Sequence, residues 1–170
     1  MSELTDFRKA KDAFFRDDPQ SPLDSQQKRV FHGLNYYPEN PDLRLDLPLE
    51  KVVKPEHIVM ATSTGDQQEY WHVGRVRFTV EGQEAALQVY VSVQGGEYFI
   101  PFVDGTAPAE TYGAGRYLEP VDLGDSRLRV DFNLAYNPYC AYNDRWSCPL
   151  PPHENRIRVR IEAGEKKFHK

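Results

Sequence analysis

Both cysteines of the chain, Cys140 and Cys148, fall within NPYCAYNDRWSCPLPPHEN, residues 137–155, beside one of its two tryptophans and four of its prolines. Three chemistries compete for this stretch. Cys140, Cys148 and His153 could ligate a metal, with Asp144 or water as fourth ligand, since zinc accepts mixed sulfur, nitrogen and oxygen sets. The C-x7-C spacing matches no zinc signature, however, and no metal ligand is assigned from it. A disulfide would close a nine-residue loop worth about 2.6 kcal/mol in the chain-entropy model, but a reducing compartment opposes it. A cysteine nucleophile needs a base within hydrogen-bond reach. His32, His57, His72 and His153 are the candidates, although no catalytic signature surrounds either cysteine.

A second group lies in DGTAPAETYGAGRY, residues 104–117. Gly113 and Gly115 permit positive φ or close backbone approach, and Glu110, Thr111, Tyr112, Arg116 and Tyr117 set charge and hydroxyls beside that point. No third glycine and no following helix make it a dinucleotide fingerprint, and no G-K-[ST] makes it a phosphate loop. A bulge at a barrel corner is the structural alternative. In RLRVDFNLAY, residues 127–136, strand alternation sends Leu128, Val130, Phe132 and Leu134 to one face. Arg127, Arg129, Asp131, Asn133 and Ala135 take the other.

Taken together, these groups define an expected site between the TYGAGRY strand, the polar face of VDFNLAY and the 137–155 loop. A small anionic ligand is the expected occupant. Arg116 would hold the anion and Asp131 would orient Arg116 or accept from the ligand. Asn133, Tyr136 and Asn137 would fix direction, with Glu110, Tyr112, Cys140, Tyr142 and Cys148 completing the lining. The same pocket could instead serve a thiol- or metal-dependent enzyme. The third alternative is a structural domain that docks through its N-terminal helix. No cofactor or oligomeric state is specified by these residues.

The elements that must position such a site are legible in the periodicity. Residues 2–16 place Leu4, Phe7, Ala10 and Phe14 at helical spacing, with Ser2 and Thr5 as possible caps. SPLDSQQKRVFHGL reads as a second helix that begins at Ser21 or Asp24 and stops at Gly33, with Phe31 and Leu34 as anchors. From NYYPENPDLRLDLPLEK onward the period is two. HVGRVRFTV and AALQVYVSV form a hairpin through EGQE, and EYFIPFV, TYGAGRYLEPV, RLRVDFNLAY and RIRVRIEA are further strands. About seven or eight strands with no intervening helices predict a mainly β fold. The expected form is an antiparallel barrel-like or strongly bent sheet, with two N-terminal helices and a long proline- and aromatic-rich lid loop. One domain spans 1–170, helical over 1–34 and β over 35–165.

Charge narrows the function classes. The formal net charge is -5, and bases alternate with acids instead of forming a patch, which argues against nucleic acid. The start MSELTDFRKAKDAFF lacks the apolar run of a signal peptide, and no stretch approaches the ~20 apolar residues of a membrane span, so a cytoplasmic protein is expected.

The motifs ETYGAGRYL, DFNLAYNPYCAY, CPLPPHEN and IEAGEK, with VGRVRFTV upstream, resemble a prokaryotic family of domains of unknown function. The resemblance runs from about NYYPENPDLRL to AGEK and is most specific between Tyr112 and Glu165. It carries no activity, cofactor or catalytic residue. It implies that Glu110, Thr111, Tyr112, Gly113, Gly115, Arg116, Tyr117, Asp131, Asn133, Tyr136, Asn137, Cys140, Cys148 and Asn155 belong to the family's own pattern.

Overall fold

The computed structural model describes residues 2–169. Helix α1 spans Glu3–Asp17, begun by the Ser2 side chain, which accepts from the Thr5 N–H, and favoured by Glu3 and Asp6 in its first turn. The face turned to the protein differs from the expected stripe. Phe15 is its deepest anchor, whereas Phe7 is 50% exposed. Three charged side chains on the Phe15 side are tethers: Arg8 donates to the Tyr37 carbonyl, Lys11 to Glu165, and Asp12 accepts from the Leu34 N–H. Helix α2 is short, Ser25–Arg29, opened by a reciprocal capping box between Asp24 and Gln27. It ends at Val30, before the expected stop at Gly33. Phe31 and Leu34 still anchor the segment, packed with Phe15, Leu23 and Tyr142 in a small apolar cluster.

Eight strands follow: β1 Arg44–Pro48, β2 Glu50–Ala61, β3 Gln67–Val80, β4 Gln83–Ser92, β5 Ile100–Phe102, β6 Arg116–Leu118, β7 Val121–Gly124 and β8 Arg127–Asp131. They form three antiparallel sheets, ordered β1-β8-β7, β2-β3-β4 and β5-β6. The expected hairpin is β3–β4, turning at Glu81 and Gly82, both with positive φ as a tight hairpin turn requires. Isolated bridges join Tyr90 to Phe99 and Tyr117 to Tyr136. Among the described residues no ring of strands closes, so the mainly β, antiparallel part of the expectation stands without a closed barrel. One apolar core nevertheless serves all three sheets, with Val76, Leu87 and Val89 from one, Ile100, Phe102 and Leu118 from another, and Leu128 and Val130 from the third.

EYFIPFV and TYGAGRYLEPV shrink to the three-residue strands β5 and β6, and two further expected strands are shortened or lost for physical reasons. RLRVDFNLAY stops being a strand at Asp131, whose carboxylate accepts from the Asn133 N–H and turns the chain into a 3-10 turn at Phe132–Leu134. The alternation therefore breaks: Asn133 and Ala135 are buried, and Leu134 is 40% exposed. RIRVRIEA keeps its apolar alternation, with Val159 and Ile161 buried, but forms no ladder. Its backbone finds other partners. Ile157 N–H donates to the Val103 carbonyl, Val159 C=O accepts from Gly105, and Ile161 N–H donates to the Asp104 carboxylate at 2.7 Å.

Candidate functional site

Arg116 opens β6 and is 1% exposed. Its Nη2 lies 3.3 Å from Asp104 Oδ1 and 3.0 Å from the Ile161 carbonyl, while Nη1 donates to the carbonyls of Ala163 and Glu165 at 2.5 and 3.2 Å. Burial pushes its pKa down and Asp104 works against that shift. Arg116 is therefore not paired with Asp131, as the sequence suggested. Asp131 lies 4.0 Å from Arg44 at the other sheet. The two Nη groups of this guanidinium fill the place of a neighbouring strand's N–H groups, while its buried Nε has no partner among the described residues. Gly115 is what lets the chain reach this position. Its φ is +102°, and a Cβ there would sit 2.5 Å from the Phe102 carbonyl.

The motif asparagines have similar work. Asn133 accepts from the Asn40 N–H at 2.8 Å and donates to the Asn40 carbonyl at 2.9 Å. Asn155 does the same to Gln88, at 2.7 and 3.0 Å, and reaches the Pro101 carbonyl. Each amide imitates a strand residue where the chain has none. Glu110 is a surface anchor, 2.6 Å from both the Tyr37 hydroxyl and Arg160. These two donors hold its carboxyl below the ordinary range. Tyr142 packs edge-on against Phe15 and donates to Glu165, and burial drives its pKa well upward. Glu165, itself buried, also meets Lys11 at 2.7 Å and Asn137 Nδ2 at 2.9 Å.

What remains of the expected site is gathered on one side. Tyr136, Asn137 and Cys148 line a cavity of about 690 Å³ together with Phe7, Ala10, Lys11, Phe14 and Phe15 of α1 and with Tyr117, Glu119, Pro138, Tyr139, Trp146 and Ser147. Three of the residues that stand at helical spacing in the sequence, Phe7, Ala10 and Phe14, line this cavity. Tyr117, Glu119 and Lys11 were missing from the expected lining. The stripe on α1 was the available signal for its wall. The lining is aromatic, with a polar corner where Tyr136 donates to Glu119 at 2.5 Å and Lys11 lies 5.2 Å from the Tyr136 ring centroid. Asn137 has one atom to spare. Its Nδ2 is engaged by Glu165 and the Lys166 carbonyl, which fixes the amide's orientation, while its buried Oδ1 has no partner among the described residues.

Beside the cavity stand the two free thiols. Cys140 N–H donates to Cys148 Sγ at 3.4 Å, and the Tyr112 hydroxyl donates to Cys140 Sγ at 3.6 Å. Hydrogen bonds from Cys148, first, and from Tyr112 hold the Cys140 thiol down at about 6 against the effect of burial. The same pairing and its burial push Cys148 upward. The pairing thus favours the thiolate on Cys140 and the thiol on Cys148. Cys140, Cys148 and His153 do not make a metal site here. Among the described residues no group of three or more His, Cys, Asp or Glu is placed to hold an ion. No described helix is long and apolar enough to cross a membrane.

No curated protein matches the chain. Among solved structures, it is similar to the solution NMR structure of an uncharacterized protein of Haloarcula marismortui, at 37% identity and a TM-score of 0.73, over 96% of this chain and 92% of that one. Residues 29–166 match a family model described as a protein of unknown function, and they include both cysteines, Arg116 and every motif asparagine. With most of its length inside that match, the chain belongs to the family DUF1684.

Proposed function

We propose that this protein binds one small amphiphilic molecule in the cavity between α1 and the 137–155 loop, with the loop acting as its lid. The carrying observation is the aromatic cavity itself, whose lining includes Asn137, a residue with a buried Oδ1 that has no partner among the described residues. A buried acceptor left unsatisfied costs about 1–3 kcal/mol, which a ligand's donor would recover. The ligand accordingly carries a hydroxyl or amine at its polar end, and its apolar body lies along Tyr117, Tyr139, Trp146 and Phe14. An anionic head has less support, because Lys11 is matched by Glu165 and Arg116 is enclosed.

Trp146 reports on this cavity and Trp71 stands elsewhere, on β3. In Trp71→Phe protein, 1-octanol should change the remaining tryptophan emission saturably. Octyl methyl ether, which lacks the donor, should bind about tenfold more weakly, as expected for one buried hydrogen bond. Ala10→Phe fills the cavity from the helix side without adding a tryptophan and should abolish the response. An unsaturable response, or one untouched by Ala10→Phe, would refute the site.

A further inference from the structure

The loop ends are pinned so that Cys148 Sγ meets the backbone of Cys140. The limb carrying Cys140 is fixed by a 3-10 turn at Tyr139–Ala141. The limb carrying Cys148 is held against the β2–β3 turn, where Cys148 N–H donates to Ser63 Oγ at 3.1 Å and the Cys148 carbonyl accepts from Ser63 N–H at 3.0 Å. Between the limbs, Cys140 N–H points at Cys148 Sγ and the Tyr112 hydroxyl at Cys140 Sγ. A tyrosine hydroxyl thus reaches one sulfur and the N–H of the same cysteine reaches the other, an arrangement a purely structural cysteine does not need.

We propose that Cys140 and Cys148 are a redox-active dithiol that reduces small-molecule disulfides, with Cys140 as the attacking sulfur and Cys148 as the resolving one. This goes beyond ligand binding and does not depend on it. The roles follow from access and hydrogen bonding. Cys140 is half-buried and can be reached, whereas Cys148 is buried. The depressed Cys140 pKa supplies thiolate at neutral pH, the form that attacks. In the first step Cys140 S⁻ bonds to one sulfur of R–S–S–R, and the S–S bond breaks to release R–S⁻. Cys148 then gives its proton to that thiolate. Its sulfur attacks Cys140 Sγ, expelling the second R–S⁻, which takes a proton from water. Two protein sulfurs are oxidised to one disulfide across residues 140–148, and the two electrons reduce R–S–S–R to two R–SH.

Oxidised glutathione is a suitable probe for the reduced full-length protein. Intact-mass spectrometry should show wild type losing two hydrogens and retaining no glutathione. Cys148→Ser should retain one glutathione, mapped to Cys140, and Cys140→Ser should retain none over the same time. Iodoacetamide on wild type gives a test free of any folding defect in these variants. Cys140 should be alkylated before Cys148, with a midpoint near pH 6. At pH 6 it should outpace free cysteine by about tenfold, the gain in thiolate fraction being partly offset by lower nucleophilicity. Tyr112→Phe should cut that rate at pH 5 by about threefold if the hydroxyl is worth one pKa unit, the roughly ninefold loss of thiolate being partly offset by higher nucleophilicity. Alkylation at Cys148 first, a glutathione that stays on Cys140 in wild type, or thiols that react only after denaturation would each overturn the proposal. Octanol binding by the reduced protein reports separately on the cavity.

Discussion

Arg116 shows how a single side chain can carry backbone duties. Its guanidinium serves three carbonyls and one carboxylate in a region closed to water. Removing one member of a buried pair costs about 3–5 kcal/mol, because the other is left without compensation. Arg116→Ala should therefore lower the unfolding free energy by that amount in urea titration, and Arg116→Lys should recover little, lacking the planar fork. An arginine that only held an anion would lose binding with stability intact, and the two outcomes are cleanly different. The arginine itself was legible in GAGRY, but its partner was not. Asp104 stands twelve positions upstream, outside any motif periodicity, and only the β5–β6 pairing brings it near. Cys140 makes a second prediction at this scale. A thiol whose folded pKa lies below its unfolded value adds stability that is fully present above the unfolded value and is lost as pH falls through the folded one. Tm of the reduced protein should rise from about pH 6 toward pH 9, and Cys140→Ser should flatten that rise.

Among the elements, α1 and the 156–163 segment show where periodicity informs and where it misleads. The helix was legible because Ser2, the acidic first turn and the apolar spacing agree. Its orientation was not, because the tethers are the charged side chains Arg8, Lys11 and Asp12, which apolar spacing does not register. Lys11→Met keeps the length of the side chain but leaves Glu165 without its cation. A loss of about 1.5–3 kcal/mol is expected, as for a hydrogen bond to a charged group, measurable by denaturant titration. Residues 156–163 alternate like a strand and are buried like one, but burial pattern says nothing of who accepts the hydrogen bonds. Gly164 closes this segment at φ +81°, where a Cβ would stand 2.7 Å from the Phe132 carbonyl. Gly164→Ala should cost at least about 1–3 kcal/mol from backbone strain, visible as a lower Tm, with the contact adding to it.

For the molecule as a whole, the mainly β class and antiparallel pairing followed from strands without helices between them. The division into three sheets did not, since β5 and β6 are too short to signal their limits and their gaps are bridged by Arg116, Asn133 and Asn155. Because residues of all three sheets meet in one core, unfolding should be a single transition. Trp71 sits on the β2-β3-β4 sheet and Trp146 in the loop beside α1. Trp71→Phe and Trp146→Phe proteins should each give a fluorescence midpoint that coincides with circular dichroism. Separate midpoints would mean that the helix and loop open on their own. The clamp around Ile161, Ala163 and Glu165 also bears on the order of events in time. Arg116 joins residues 45 to 49 positions away, and contacts so distant in sequence are completed after local hairpins such as β3–β4. The C-terminal segment should therefore dock on the far side of the rate-limiting barrier. In a chevron plot, Arg116 substitutions should steepen escape from the native state while leaving the refolding limb nearly where it was. The side chain that stands in for a strand would then govern how long the protein stays folded, and hardly at all how fast it gets there.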